Sequence, residues 1–261
     1  MTWVENLILA IVEGLTEYLP VSSTGHLMMT GEFLGLDLKK IDTYIISVQF
    51  GAIFAVVVLY WKKFVSIFSG KKDALQFYLK LLLGFIPAAI LGFLLDDYLE
   101  KILQTPVIVG ITLVVVGVFL LFIDRVLPGG EKTVDTMHYK DAIIIGTVQS
   151  FAMIPGVSRS AASIAGALGC KLNKMAATEF SFFLAVPTLT AAGAYKLLKN
   201  WDALSSKQLN DIAIGNVISF ITALIAVKFF IGLVKKRGFA WFGIYRVIVG
   251  LFFLFWLSTH S

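Results

Sequence analysis

Glu13 and Glu17 lie in the stretch EGLTEYLPVSSTGHL, residues 13–27, and are four residues apart. A helix through them stacks both carboxylates on one face, one turn above the other. Carboxylates so placed repel each other unless a cation, a shared proton or a hydrogen-bond donor intervenes. Pro20 ends that helix, and Ser22, Ser23 and Thr24 bring three hydroxyls to the start of the next, where such residues cap the N-terminus. Unpaired N–H groups and a partial positive charge collect at the same place, so the three residues form a candidate anion cradle. His26, three residues beyond Ser23, is either an acid/base partner or phosphate donor for the serine, or a histidine satisfied by a carbonyl.

A second polar cluster, IPGVSRSAAS at residues 154–163, supplies what the first lacks. Arg159, flanked by Ser158 and Ser160, is a guanidinium inside an apolar region, and it is costly to bury without an anion. It either pairs permanently with Glu13 or Glu17, or it awaits a phosphate, which its planar fork matches. Gln49 and Glu179, also in apolar surroundings, either bond between helices or line the site. Aromatic runs such as SFFLAV at 181–186 read as packing or lipid-facing surface.

The elements that must position these groups are membrane elements. Hydrophobic residues make up 58% of the 261-residue chain and charged residues 15%, and mean hydropathy is +0.86, outside the range of a soluble domain. Runs at 43–61, 75–95, 105–123, 175–195, 212–234 and 239–257 are each long enough to cross a hydrocarbon core about 30 Å thick. Residues 4–36 and 141–170 are instead broken by the two polar clusters into short apolar pieces. Backbone at membrane depth must be hydrogen-bonded internally unless it is buried in protein or lines a wet cavity, so each broken region reads as a re-entrant hairpin.

The expected fold is therefore all-α and polytopic, with two halves, each a re-entrant broken-helix hairpin followed by three transmembrane helices. The halves, 1–127 and 138–261, are joined by a linker at 128–137 containing Pro128, Gly129 and Gly130, and form a single membrane domain. LPVSS at 19–23 corresponds to IPGVSRS at 154–160, with a proline leading a serine pair in each. An odd number of full spans per half makes the repeat inverted, with both tips meeting near the midplane.

On this topology Lys62, Lys63, Lys71, Lys72, Arg125, Lys132, Lys140, Lys171, Lys174, Lys235, Lys236 and Arg237 share one side, while Lys39, Lys40, Lys101, Lys196, Lys199 and Lys207 share the other. The cation-rich side is expected to be cytoplasmic, with both termini outside. The net charge of +5 forms no basic, aromatic-interleaved patch, so no nucleic-acid partner is expected. A lone Cys170 allows no intramolecular disulfide and reads as a small packed residue. The stretch MTWVENLILAIVEG has no basic n-region or cleavage site, so we expect insertion through the mature segments.

Across essentially its whole length the chain resembles the bacterial undecaprenyl pyrophosphate phosphatases associated with bacitracin resistance. EGLTEYLPVSSTGHL matches the first signature of that family and PGVSRS at 155–160 the second. One departure is that Ala161, Ala162 and Ser163 stand where the family pattern has Gly and Thr. The resemblance implies a hydrolase of the inner (cytoplasmic) membrane that removes the terminal phosphate of undecaprenyl diphosphate, recycling the lipid carrier for peptidoglycan synthesis, with its site open to the outer face. Functional positions carried over are Glu13, Glu17, Ser22, Ser23, Thr24, His26, Ser158, Arg159 and Ser160. The resemblance also implies Mg²⁺ or Ca²⁺ held by Glu13 and Glu17. A polyprenyl diphosphate and membrane lipids are the expected partners, and a homodimer is kept open.

On these residues Ser23 attacks phosphorus, with Glu17, or His26 supported by a glutamate, as base. Two rival readings remain. Broken helices meeting at midplane also suit an inverted-repeat transporter or flippase of phosphate or a phosphorylated lipid. An acid-phosphatase-like membrane enzyme would need an Arg-Pro pair, which this sequence lacks.

Overall fold

The computed structural model describes residues 1–69, 72–102 and 105–260, with backbone alone at 38–40, 69 and 96–102. Lys71 and Ser261 therefore lie outside the described residues, as do the side chains of Lys39, Lys40 and Lys101. Helices α1 (Trp3–Thr16) and α2 (Ser23–Phe33) form a first hairpin, followed by α3 (Leu38–Ser47), α4 (Gln49–Leu59), the short α5 (Trp61–Val65), α6 (Lys72–Ile102) and α7 (Pro106–Val126). A second hairpin of α8 (Tyr139–Gln149) and α9 (Arg159–Gly169) precedes α10 (Lys174–Lys199), α11 (Ser206–Arg237) and α12 (Ala240–His260). Among the described residues the only β pairing is an isolated bridge between Lys132 and Leu172.

Among the described residues six segments are long and apolar enough to cross a membrane: Ile41–Leu59, Lys72–Leu95, Pro106–Val126, Lys174–Lys199, Ser206–Arg237 and Ala240–His260. They coincide with the six runs expected from hydropathy. The first is not one helix but α3 and α4, interrupted at Val48. The break leaves the Gly51 N–H without a helical partner, and Asn216 Oδ1 on α11 accepts it at 2.5 Å. A neighbouring helix thus satisfies backbone that water cannot reach. That approach requires glycine, because a Cβ on residue 51 would lie 2.1 Å from the Asn216 carbonyl oxygen.

The hairpin helices are short because polar turns stop them: α1 has 14 residues, and α2, α8 and α9 have 11 each. The start signals repeat as well. Thr2 and Glu5 form a capping box on α1, and His138 and Asp141 form one on α8. Ser22 caps α2 and Ser158 caps α9, both at positive φ, and the hairpins end on the left-handed residues Gly35 and Lys171. Thr2 and His138, Ser22 and Ser158, and Gly35 and Lys171 are each 136 residues apart. This register sets Ser23 opposite Arg159, so the serine pairs do not align through their prolines as expected; Pro20 falls opposite Gly156 instead.

Packing follows the same correspondence. α1 packs on α11 of the other half, α8 packs on α6, and α7 packs on α12. The α6–α8 contact is close enough that a Cβ on Gly146 would lie 2.0 Å from the Gly84 carbonyl oxygen, the small-residue contact typical of helices in lipid. At one end of the bundle Asn6 on α1 donates to the Asp211 carbonyl and Lys196 pairs with Asp42. The α8 hairpin starts at the opposite end, where Lys63 pairs with Asp135, Lys174 with Asp124, and Lys80 donates to the carbonyls of Val134 and Asp135. Hairpins entering from opposite ends fit an inverted repeat.

Candidate active site

The two tips are built alike. α1 ends at Glu17, and the chain turns through Tyr18–Val21 to Ser22 at φ 73°, whose hydroxyl accepts the Gly25 N–H. In the second hairpin a short 3-10 turn, Ser150–Met153, leads to Ser158 at φ 80°, whose hydroxyl accepts the Ala161 N–H. A non-glycine residue at positive φ costs on the order of 1–3 kcal/mol and persists where surrounding structure enforces it, most often at functional sites. Each strained serine delivers the first residue of the next helix into the protein interior. In one half that residue is Ser23, and in the other it is Arg159. The departure at Ala161 is accommodated, since its N–H makes the same capping bond as Gly25 and its methyl group is buried.

Glu17 joins the two tips. Ser23 Oγ donates to Glu17 Oε2 at 2.5 Å, and Arg159 Nη2 donates to Glu17 Oε1 at 2.7 Å. Arg159 Nη1 donates to the Ser181 carbonyl at 2.9 Å and to its hydroxyl at 3.3 Å, while the guanidinium lies 5.4 Å from the centre of the Tyr18 ring. Its Nε–H is buried with no hydrogen-bond partner. Of the two alternatives for Arg159, the ion pair with Glu17 is present, and a donor remains for an anion.

Glu13 is fully buried, and neither of its carboxylate oxygens has a hydrogen-bond partner. Glu17 and Arg159 are the charges acting on it. The second half carries Gln149 at the equivalent position, 136 residues on, and Met153 opposite Glu17. The repeat has thus kept its carboxylates in one tip and its guanidinium in the other.

The remaining expected residues divide. Ser22 and Ser158 act as caps through their oxygens and retain their O–H groups as donors. Thr24 stands beside Ser23 in the first turn of α2 and is half-buried. Ser160 faces the opposite tip, donating to the Tyr18 carbonyl at 2.8 Å, and so ties the tips together. His26 Nδ1 lies 2.8 Å from the Ser22 carbonyl, which can only accept, so Nδ1 carries the proton; Nε2, 2.8 Å from the Tyr245 hydroxyl, then accepts from it. Both ring nitrogens are engaged away from Ser23. Gln49 is buried between helices, and Glu179 lies near Lys63 and Lys235 at the lysine-rich end, away from Glu17 and Arg159.

Sequence reasoning missed three residues. Ser181, placed among packing residues, holds Arg159 and also accepts from Ser163 at 2.7 Å. Tyr245 stacks on His26 with ring centres 5.6 Å apart. Arg246 is fully buried on α12 and donates to the carbonyls of Pro20 and Val157 at 3.0 and 3.2 Å, and of Gly156 at 2.5 Å, so it joins both tips. Its signal was available: an arginine about two turns into a 21-residue apolar span is, like Arg159, costly without a partner.

Fold and site together define a multi-pass α-helical membrane protein whose candidate site side chains sit on two hairpin tips packed against each other. Residues 6–252 match the family described as bacitracin resistance protein BacA. The chain is 43% identical over 264 residues to an undecaprenyl-diphosphatase of Bdellovibrio bacteriovorus, covering 99% of this chain and 97% of that one. Identity to the undecaprenyl-diphosphatase of Flavobacterium johnsoniae is 45% over 262 residues, covering 97% and 96%, and to that of Enterococcus faecalis 40% over 260 residues, covering 95% and 94%. The chain belongs to the bacitracin resistance protein BacA family.

Proposed function

We propose that this protein hydrolyses undecaprenyl diphosphate to undecaprenyl phosphate and inorganic phosphate, returning the lipid carrier to peptidoglycan synthesis. The observation that carries the reading is the chain Ser23 Oγ, Glu17 carboxylate, Arg159 guanidinium, held inside the membrane domain by both tips. Relatives at 40–45% identity over nearly the whole chain are named undecaprenyl-diphosphatase.

Ser23 Oγ attacks the terminal phosphorus while its proton passes to Glu17 Oε2, to which it already donates. The bond to the bridging oxygen breaks, its electron pair leaves with undecaprenyl phosphate, and the proton on Glu17 is released with that product. Water then attacks the phosphoserine and gives a proton to Glu17, the phosphorus–Oγ bond breaks, and Ser23 regains the proton. Glu17 serves as base rather than His26 because the imidazole nitrogens are taken by the Ser22 carbonyl and the Tyr245 hydroxyl. Arg159, with its Nε–H open, and the hydroxyls of Ser22, Thr24 and Ser158 are donors for the phosphate oxygens, where charge develops.

The residues present fit a divalent cation. Glu13 offers two buried carboxylate oxygens without partners, next to Glu17. Among the described residues no group of three or more His, Cys, Asp or Glu converges, so substrate phosphate oxygens would complete the shell, as Mg²⁺ sites commonly allow. Glu13 and Glu17 would hold the Mg²⁺ or Ca²⁺, which when bound neutralises diphosphate charge.

The proposed setting is the inner membrane, with the lysine-rich end cytoplasmic, both termini outside and the site reached from the outer face. The proposed partners are the lipid substrate, membrane lipids and a second copy of the chain as a homodimer. Phosphate release from a long-chain polyprenyl diphosphate by purified protein in detergent tests the activity, because a transporter without a gradient releases none. For orientation, an impermeant thiol reagent on intact cells should label Lys207→Cys and spare Lys140→Cys; the reverse pattern overturns the assignment.

A further inference from the structure

A groove of about 670 Å³ runs between α7 and the second hairpin at the lysine-rich end of the bundle. Lys132, Lys140 and Lys171 stand at its rim, and Phe119, Ile144 and Val148 form its wall. From Lys140 to Val148 the wall descends about 12 Å along α8, at roughly 1.5 Å per residue. Cations at the mouth and aliphatic and aromatic surface below match a molecule with an anionic head and an apolar tail.

Charge in the groove is unbalanced. Asp141, its acid, is already taken by Lys132 Nζ at 2.8 Å and by the His138 N–H at 2.9 Å. Lys140 and Lys171 are exposed and have no acidic partner among the described residues. Lys171 is also placed by the backbone: it sits at φ 68° and its carbonyl accepts the Lys132 N–H at 3.2 Å. The hairpin fold does not require these cations, because the equivalent positions in the first hairpin, 136 residues earlier, hold Val4 and Gly35.

We infer that this groove binds an anionic phospholipid, its phosphate between Lys140 and Lys171 and an acyl chain along Phe119, Ile144 and Val148. Basic pockets between membrane helices select anionic headgroups, and a zwitterionic lipid of the same chain length lacks the net charge that these lysines attract. The groove is separate from the diphosphate site, so its occupancy is independent of the proposed activity.

The test uses the full chain, purified and delipidated in detergent, titrated with dioleoyl phosphatidylglycerol or dioleoyl phosphatidylcholine and followed by native mass spectrometry and Tm. Wild type is expected to retain phosphatidylglycerol preferentially and to gain more Tm from it. Lys140→Gln with Lys171→Asn, which tolerates positive φ, is expected to weaken that retention roughly thirtyfold, as loss of two surface cations implies. Lys62→Gln with Lys72→Gln, outside the groove, should match wild type. If the double variant does not fold, Lys140→Gln alone should weaken retention roughly fivefold. No headgroup preference in wild type, undiminished retention in the groove variants, or equal loss in the control pair would each overturn the assignment.

Discussion

Arg159 Nη2 donates to Glu17 Oε1 at 2.7 Å, linking residues 142 positions apart at the tips of different hairpins, one at the end of α1 and the other at the start of α9. The same carboxylate receives Ser23 Oγ on its other oxygen. One side chain therefore joins the attacking group of one half to the cation of the other. Neither tip alone contains a complete site.

Ser23→Ala removes the hydroxyl while leaving the Ser22 cap that starts α2 in place. Phosphate release in detergent should fall to background, with polyprenyl diphosphate binding retained. Substantial residual turnover would assign the attack to water.

Glu17→Gln keeps the shape of the side chain but removes the base and half of the ion pair. General-base catalysis is worth about 10²–10⁴-fold, so phosphate release should fall at least into that range, by radiometric assay at saturating lipid. His26→Gln should cost less, because the imidazole does not touch Ser23. A larger loss for His26→Gln than for Glu17→Gln would exchange their roles.

Arg159→Ala leaves Glu17 buried without its partner. Breaking a buried pair costs about 3–5 kcal/mol, so Tm should drop, and loss of a donor to the developing charge should lower turnover by about 10²-fold or more. Adding Glu17→Gln should recover Tm but not activity. A variant with wild-type turnover would remove Arg159 from the mechanism.

Arg246→Met tests a positioning residue. Its guanidinium bonds the Pro20, Gly156 and Val157 carbonyls and touches no reacting atom. Removing it leaves several buried acceptors unsatisfied, at about 1–3 kcal/mol each. We expect lower Tm and a reduced kcat with KM nearly unchanged; a change in KM alone would place Arg246 at the substrate.

Asp141, at the start of α8 and outside the six spans, is held below the ordinary carboxylate range. Burial pushes it up, but the Lys132 ammonium and the His138 N–H outweigh that. Its stabilising contribution is present above the usual carboxylate value, about 3.9, and is lost as pH falls through its lowered value in the folded protein. Melting between pH 6 and pH 3 should show a steeper loss of Tm for wild type than for Asp141→Asn.

By itself the sequence determined which segments are long and apolar enough to cross a membrane, that two other apolar regions are broken, and which polar residues interrupt them. Those properties depend on local patterns: apolar run length, Pro and Gly punctuation, and caps such as Ser22 and Ser158. It also marked Glu13, Glu17, Ser23 and Arg159, because charged groups and clustered hydroxyls are conspicuous in apolar sequence. The tertiary structure alone decided which carboxylate meets Arg159, since Glu13 and Glu17 share a helical face and only packing of the two hairpins distinguishes them. It likewise decided that His26 turns towards Tyr245, that Ser181 holds the guanidinium and that Arg246 fastens both tips. Each of these contacts joins residues on different helices, and their pairing is set by how α1 seats on α11 and α8 on α6, a geometry that no local pattern encodes.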